Sequence, residues 1–286
     1  MQLTDVTAMA RPIDPRYPTS LAISVVSVLV GAGGTLYRLL SGDGWVDALL
    51  WGIGAALAVF LAWALARETD PDHDLSAFVA AALGLAGLFV LGLPALLPLF
   101  WLLMLLRIVN RTTGVPARPL DSLAVLGVAG WLAWQGAETA ARITALGLLL
   151  DALLPNPLRR HLVLAGVALA GAVVVAVARD SAGGEPLSPA GWAGLAAVAG
   201  LWIVVILTSG RVVSVGDATR EPREAMRVQA AQGLALLTGL LWAAEVGRAG
   251  VVELMPLWAA LIGVGLWRAG VLVMGRCAPR EGRPGG

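Results

Sequence analysis

The chain has 286 residues, of which 58% are hydrophobic and 14% are charged, and its mean hydropathy is +0.81. Soluble domains carry about 25% charged residues, so this chain has too few polar side chains to cover a globule in water. The net charge of +1 gives no electrostatic reason to expect nucleic acid as a partner. Composition therefore predicts an all-α, polytopic transmembrane helix bundle whose main partner is the lipid bilayer.

The first 19 residues are polar, and the apolar stretch that follows begins at Ser20. That stretch is too long for the hydrophobic region of a signal peptide, so we expect it to remain in the protein as a helix. A bilayer core about 30 Å thick requires about 20 apolar residues per helix. Six stretches have nearly this length and almost no charge. They are residues 20–40, 45–66, 161–179, 187–209, 228–247 and 251–272.

Two further apolar stretches are too long for one span and short for two. Residues 76–106 carry no charge, and Gly92 and Pro94 in their middle favour a helix break. Residues 121–154 contain Gly136 and charged side chains near their middle. We therefore predict two short hairpins, each of which is alternatively re-entrant. Their four helices cover residues 76–92, 94–109, 121–136 and 139–154.

The basic residues test this layout, because cytoplasmic loops carry an excess of positive charge. All 20 basic residues are arginines, and with ten spans and the N-terminus inside only four of them are outside. These four are Arg38, Arg142, Arg179 and Arg248. If 76–109 formed a single span, the best arrangement would have the N-terminus outside and six arginines outside.

We therefore predict about ten spans (8–10) in the cell membrane, with the C-terminus in the cytoplasm. A single transmembrane domain covers residues 20–274, between a polar N-terminal segment, 1–19, and a polar C-terminal tail, 275–286.

The most distinctive polar segment follows the second predicted span, on the predicted inner side. Its Asp70, Asp72, His73 and Asp74 offer carboxylate oxygens and an imidazole nitrogen, and Mg²⁺ prefers carboxylate oxygens and water. The segment lacks the glycine and the distal glutamate of a calcium-binding loop. One interpretation is a divalent metal site with Mg²⁺ as cofactor. The alternative is a solvated loop in which Asp72 or Asp74 caps the next helix.

Basic residues on the same side form a second group. Asn110, Arg111 and Arg118 lie in one connection, and Arg159 lies in the next connection on that side. Guanidinium groups, hydroxyls and backbone amides near a glycine suit a phosphate or an anionic lipid head group. We predict these four residues as substrate contacts. The alternative is that they only anchor the loops at the lipid surface.

The longest loop on this side, residues 210–228, mixes both signs of charge and includes Arg223, Glu224 and Arg227. Charge that neutralises itself in this way is typical of a solvated face. We therefore predict that this loop lies in water and takes no part in a site.

Ionisable residues inside the predicted spans are few, although lipid makes them costly and therefore candidates for function. Glu138 and Arg142 are four residues apart, and Glu245 and Arg248 are three apart, so each pair can form along one helix. We predict Glu138 and Arg142 as further substrate contacts if their hairpin is re-entrant. Otherwise both pairs lie at the outer interface.

Three functions fit these patterns. The span count and the interrupted hairpins favour a carrier or permease for a small neutral or hydrophobic substrate, because broken helices line many transporter sites. The first alternative is a membrane enzyme that acts on a phosphorylated lipid at the cytoplasmic face, with a metal on the aspartates and phosphate on the arginines. The second alternative is a non-catalytic subunit of a membrane assembly.

Overall fold

A computed structural model of the chain describes residues 7–9, 17–178 and 184–277. In these ranges the regular structure is helical, apart from one isolated bridge between Val215 and Pro222. The helices are α1 (Pro18–Leu40), α2 (Trp45–Thr69), α3 (Asp74–Leu91), α4 (Leu96–Asn110), α5 (Pro119–Trp134), α6 (Thr139–Leu153), α7 (Arg160–Ala178), α8 (Pro189–Thr208), α9 (Ala225–Val246), α10 (Arg248–Glu253) and α11 (Met255–Cys277).

Six of these helices are long and apolar enough to cross a membrane, namely α1, α2, α3, α7, α8 and α11. α4 and α5 are apolar but shorter. The prediction of a transmembrane helix bundle is therefore confirmed for six helices. Most of the predicted polar ends, 1–19 and 275–286, lie outside the described residues.

Both predicted hairpins turn where the sequence indicated. α3 ends at Leu91, and Gly92 has φ +83°, a conformation that glycine adopts without strain. Gly136, between α5 and α6, has φ +104°. α4 and α6 have 15 residues each, which at 1.5 Å per residue gives about 22 Å. They are thus shorter than a bilayer core of about 30 Å.

Hydrogen bonds between connections define one end of the bundle, which we call the arginine-rich end. The Asn110 Nδ2 donates to the backbone oxygen of Glu68 at 2.7 Å. The Arg227 Nη2 donates to the backbone oxygen of Pro155, also at 2.7 Å. The connections after α2, α4, α6 and α8 therefore meet at this end.

The connections after α3, α5, α7 and α9 meet at the opposite end. The Ala95 N–H donates to the Glu253 oxygen at 3.2 Å, and the Arg248 N–H donates to the Glu185 oxygen at 2.9 Å. The Thr139 N–H donates to a carboxylate oxygen of Glu245 at 2.9 Å. Neighbouring long helices thus alternate in direction, as the arginine distribution predicted.

A short N-terminal segment lies across the arginine-rich end. The Asp121 carboxylate accepts hydrogen bonds from the Thr7 hydroxyl at 2.5 Å and from the Ala8 N–H at 2.8 Å. The Arg107 Nη1 donates to the Met9 backbone oxygen at 3.0 Å. The chain therefore enters α1 from the arginine-rich end.

The centre of the bundle packs around α4. Trp101 on this helix is fully buried, and its ring centroid lies 6.1 Å from that of Trp242 on α9. The Trp101 Nε1 donates to the Thr144 hydroxyl at 3.0 Å, which satisfies the polar atom of a buried indole. This packing fixes the position of Asn110, the last residue of α4, at the arginine-rich end.

Candidate functional site

A polar pocket of about 90 Å³ opens at the arginine-rich end, between the α4–α5 connection and the loop that precedes α9. A single water needs about 10–15 Å³ of such space, so the pocket has room for a small polar group. Its charged lining consists of three arginines and two glutamates. These are Arg111, Arg223, Arg227, Glu221 and Glu224.

The loop before α9 docks on the connection after α4 through backbone hydrogen bonds. The Asp217 N–H donates to the Thr112 oxygen at 3.2 Å. Gly114 has φ +81°, and a Cβ at this position would collide with the Thr219 hydroxyl. The close approach of the two loops therefore depends on a glycine here. The two loops form two walls of the pocket.

Arg227 forms the floor of the pocket and is almost fully buried. Its Nη1 donates to the Asp151 Oδ1 at 2.7 Å and to the Val109 oxygen at 2.8 Å. Its Nε and Nη2 donate to the Pro155 oxygen at 3.1 and 2.7 Å. All three guanidinium nitrogens therefore have partners inside the protein, and Asp151 compensates the charge.

Asp151 is the centre of a buried cluster that joins four helices. Its Oδ2 lies 2.8 Å from the His161 Nδ1. The His161 Nε2 lies 2.7 Å from the Ser122 hydroxyl. These are the residue types of a catalytic triad. Ser122 and His161 have no exposed surface, however, so the cluster links α5, α6, α7 and α9 and offers no accessible nucleophile.

Arg111 is bound less completely than Arg227. Its Nε lies 3.3 Å from the Asp151 Oδ1, and its Nη2 is buried without a hydrogen-bond partner among the described residues. The neighbouring Asn110 is 1% exposed, and its Oδ1 also has no partner. Most buried polar atoms in proteins are hydrogen-bonded. An unpaired donor and an unpaired acceptor on one pocket wall are therefore suited to contact a ligand.

The structure brings two of the four predicted anion contacts into the pocket. Asn110 and Arg111 line it, whereas Arg118 and Arg159 do not. The Arg118 N–H donates to the Asp121 carboxylate at 2.8 Å, at the start of α5. Arg159 is exposed just before α7.

The four predicted metal ligands contact different partners. The Asp70 Oδ1 lies 3.0 Å from the His73 Nδ1. Asp72 accepts hydrogen bonds from two backbone amides of the loop before α9, at 2.8 and 3.0 Å. Asp74 pairs with Arg67. Among the described residues no group of three or more His, Cys, Asp or Glu side chains is arranged to bind a metal. The Mg²⁺ site thus stays a prediction from the sequence.

Glu138 and Arg142 form the predicted pair at the opposite end, with 2.8 Å between Nη2 and Oε2. Glu245 also lies 3.4 Å from the Arg142 Nη2. The pairing of Glu245 with Arg248 is therefore wrong. The reason is Gly247, whose φ of +71° ends α9 before Arg248. A role of Glu138 and Arg142 in substrate binding stays a prediction.

Sequence reasoning was wrong about the loop before α9. Arg223 and Arg227 were predicted to be solvated, yet both are buried. The available signal was Asp151, the single acidic residue of α6. A buried carboxylate requires a cation from another part of the chain, and Arg227 supplies that cation.

Comparison of the chain with protein-family models, with curated proteins and with solved structures gives no match. A helical bundle alone is compatible with many unrelated functions. Function must therefore follow from the chemistry of the pocket.

Proposed function

We propose that this protein is an integral membrane protein that binds a phosphate-bearing ligand, above all a phosphorylated lipid head group, in the pocket at the arginine-rich end. The proposal depends on Arg111, because this residue lines the pocket and its buried Nη2 has no hydrogen-bond partner among the described residues. The planar guanidinium can donate two parallel hydrogen bonds to one phosphate group. Because Asp151 already neutralises the buried Arg227 at the floor, Arg111 is the main guanidinium for the phosphate.

The exposed surface of the helices supports a lipid environment. On α1, Val28 and Leu29 are 69% and 65% exposed, and on α7 Val163 and Val177 are 69% and 84% exposed. Soluble monomers rarely expose such extended apolar faces to water. A lipid ligand would therefore reach the arginine-rich end directly from the surrounding bilayer.

We also propose that all ten long helices cross the cell membrane, with the arginine-rich end in the cytoplasm. In a chain with Cys277→Ser, we expect an impermeant maleimide to label Leu93→Cys and Gln135→Cys on intact cells. Both residues lie in the turns of the two short hairpins. Arg159→Cys should label only after the cells are permeabilised. Labelling of Arg159→Cys from outside would refute this orientation, and an unlabelled Gln135→Cys would indicate that α5 and α6 are re-entrant.

The phosphate site is tested by Arg111→Gln. We expect the affinity for phosphatidic acid to fall by about 10- to 100-fold, since a charge-assisted hydrogen bond contributes about 1.5–3 kcal/mol. Binding can be measured by native mass spectrometry of the purified protein in detergent. Arg111→Lys should retain part of the affinity, because it keeps the charge and loses the fork geometry.

Arg159→Gln is the matched control, because it removes one arginine from the same end without touching the pocket. It should leave the affinity within about two-fold of the original value. Inorganic phosphate distinguishes the two sources of the ligand: it competes with the lipid only weakly if acyl chains contribute to binding. If Arg111→Gln and Arg159→Gln lowered the affinity for phosphatidic acid equally, the pocket would not be the binding site.

A carrier is the second candidate, and the interrupted hairpins at Gly92 and Gly136 favour it. The two proposals differ in one measurement. A carrier moves its substrate across the wall of a reconstituted liposome, and a binding protein or an enzyme does not. For the enzyme alternative, the pocket supports the phosphate contact, and the metal centre rests on the sequence alone.

A further inference from the structure

We infer that the pocket selects a zwitterionic head group, with the phosphate at an arginine floor and a primary ammonium at a glutamate rim. This inference rests on the proposed phosphate site. It concerns the order of the charges along the pocket, from its inner side, formed by the half-buried Arg111 and the buried Arg227, to the exposed rim formed by Glu221 and Glu224.

The arginines of the pocket turn inward. Arg227 binds Asp151 at 2.7 Å. Arg223 is buried, its Nε donates to the Val215 oxygen at 3.3 Å, and its Nη2 lies 3.9 Å from the Asp217 carboxylate. The positive charge of the pocket is therefore held at its base by residues of the surrounding loops and helices.

The glutamates of the pocket remain on the solvent side. Glu221 and Glu224 are both exposed. Neither glutamate forms a short-range salt bridge in the described part of the chain, although Glu224 interacts electrostatically with Arg227 at longer range. Glu224 is the residue immediately before α9, where the helix dipole stabilises a negative charge. The rim thus keeps two carboxylates that can accept hydrogen bonds from a ligand.

This separation of charge discriminates between phosphate ligands. A ligand that carries only a phosphate can bind the arginines, but the two rim carboxylates repel it as it approaches. A phosphoethanolamine group places its phosphate at the floor, and its ammonium donates hydrogen bonds to the rim. A trimethylammonium group has no N–H to donate. The pocket should therefore prefer a primary amine.

Exposed apolar side chains at the arginine-rich end favour a lipid as the source of this head group. Leu153, the last residue of α6, is 70% exposed, and Met226, near the start of α9, is 59% exposed. Both lie at the arginine-rich end, close in sequence to lining residues. They offer an apolar surface to the first carbons of an acyl chain.

The test compares short-chain lipids on the purified full chain in detergent by native mass spectrometry. We expect phosphatidylethanolamine to bind about five-fold more tightly than phosphatidic acid or phosphatidylcholine, as expected for one exposed charge pair. In the double variant Glu221→Gln/Glu224→Gln this preference should disappear, while phosphatidic acid binds at least as well as before. Free phosphoethanolamine should compete more strongly than inorganic phosphate.

The outcomes separate the two proposals. If phosphatidic acid binds as tightly as phosphatidylethanolamine, and both depend on Arg111, the phosphate site stands and the selection of an amine is wrong. If no lipid depends on Arg111, the proposed function itself is wrong. Because Glu221 and Glu224 are exposed, their replacement should lower the melting temperature only slightly, through the lost helix-dipole interaction of Glu224. A melting curve of the double variant would show that a lost preference does not reflect unfolding. Unaltered preference in the double variant would refute the glutamate rim.

Discussion

Replacing Asp151 with alanine is expected to destabilise the protein by about 3–5 kcal/mol, the cost of removing one partner from a buried ion pair. The carboxylate has no exposed surface and lies within 3.3 Å of atoms from Arg111, Arg227 and His161. Without it, Arg227 keeps only neutral carbonyl oxygens as partners. A cation buried at the meeting point of four helices would then lack a counter-charge.

Unfolding in mixed micelles with increasing SDS fraction measures this loss. Asp47→Ala is the matched control, since Asp47 is exposed in the first turn of α2, and it should change stability by less than about 0.5 kcal/mol. The double variant Asp151→Leu/Arg227→Met should recover much of the loss, because it removes both charges together. Equal stability of Asp151→Ala and Asp47→Ala would contradict a stabilising role of the cluster.

The sequence predicts those parts of the fold that depend on local pattern. The length of each apolar stretch predicts the long helices, and glycine with proline predicts the turn at Gly92. Both signals depend only on residues that are close together in the sequence. The arginine distribution predicts which connections meet, since all arginine-bearing loops experience the same lipid surface. Asn110 and Arg111 belong to this class, because they lie at the end of an apolar helix.

The rest of the site depends on pairing between distant segments. Asp151 and Arg227 are 76 residues apart in the chain, and no periodicity or spacing connects them. The charges of residues 210–228 balance, which predicts a solvated segment, yet its Arg227 neutralises Asp151 on another helix. Glu245 shows the same effect, because its partner Arg142 lies on another helix. Local charge patterns therefore predict where polar residues lie and fail to predict which of them pair.

Replacing Gly263 with leucine is expected to cost about 3 kcal/mol, at the upper end of the usual penalty for overpacking. Gly263 is buried where α11 crosses α3. A Cβ at this position would lie 2.6 Å from the backbone nitrogen and 2.8 Å from the Cα of Ala80. Backbone atoms cannot rotate away, so the two helices must separate. Small residues permit close approach of this kind between membrane helices.

Gly270→Leu is the matched control, because Gly270 lies on the same helix and a Cβ there meets nothing within 4 Å. This change replaces glycine by a better helix former and should raise stability by up to about 1 kcal/mol. The opposite signs of the two substitutions separate contact between helices from helix propensity, which changes equally in both. Since α3 begins at Asp74, beside the connection that contacts the loop before α9, separation of α3 from α11 should also weaken lipid binding in Gly263→Leu. Identical unfolding curves for the two variants would show that α3 and α11 are not in close contact in the membrane.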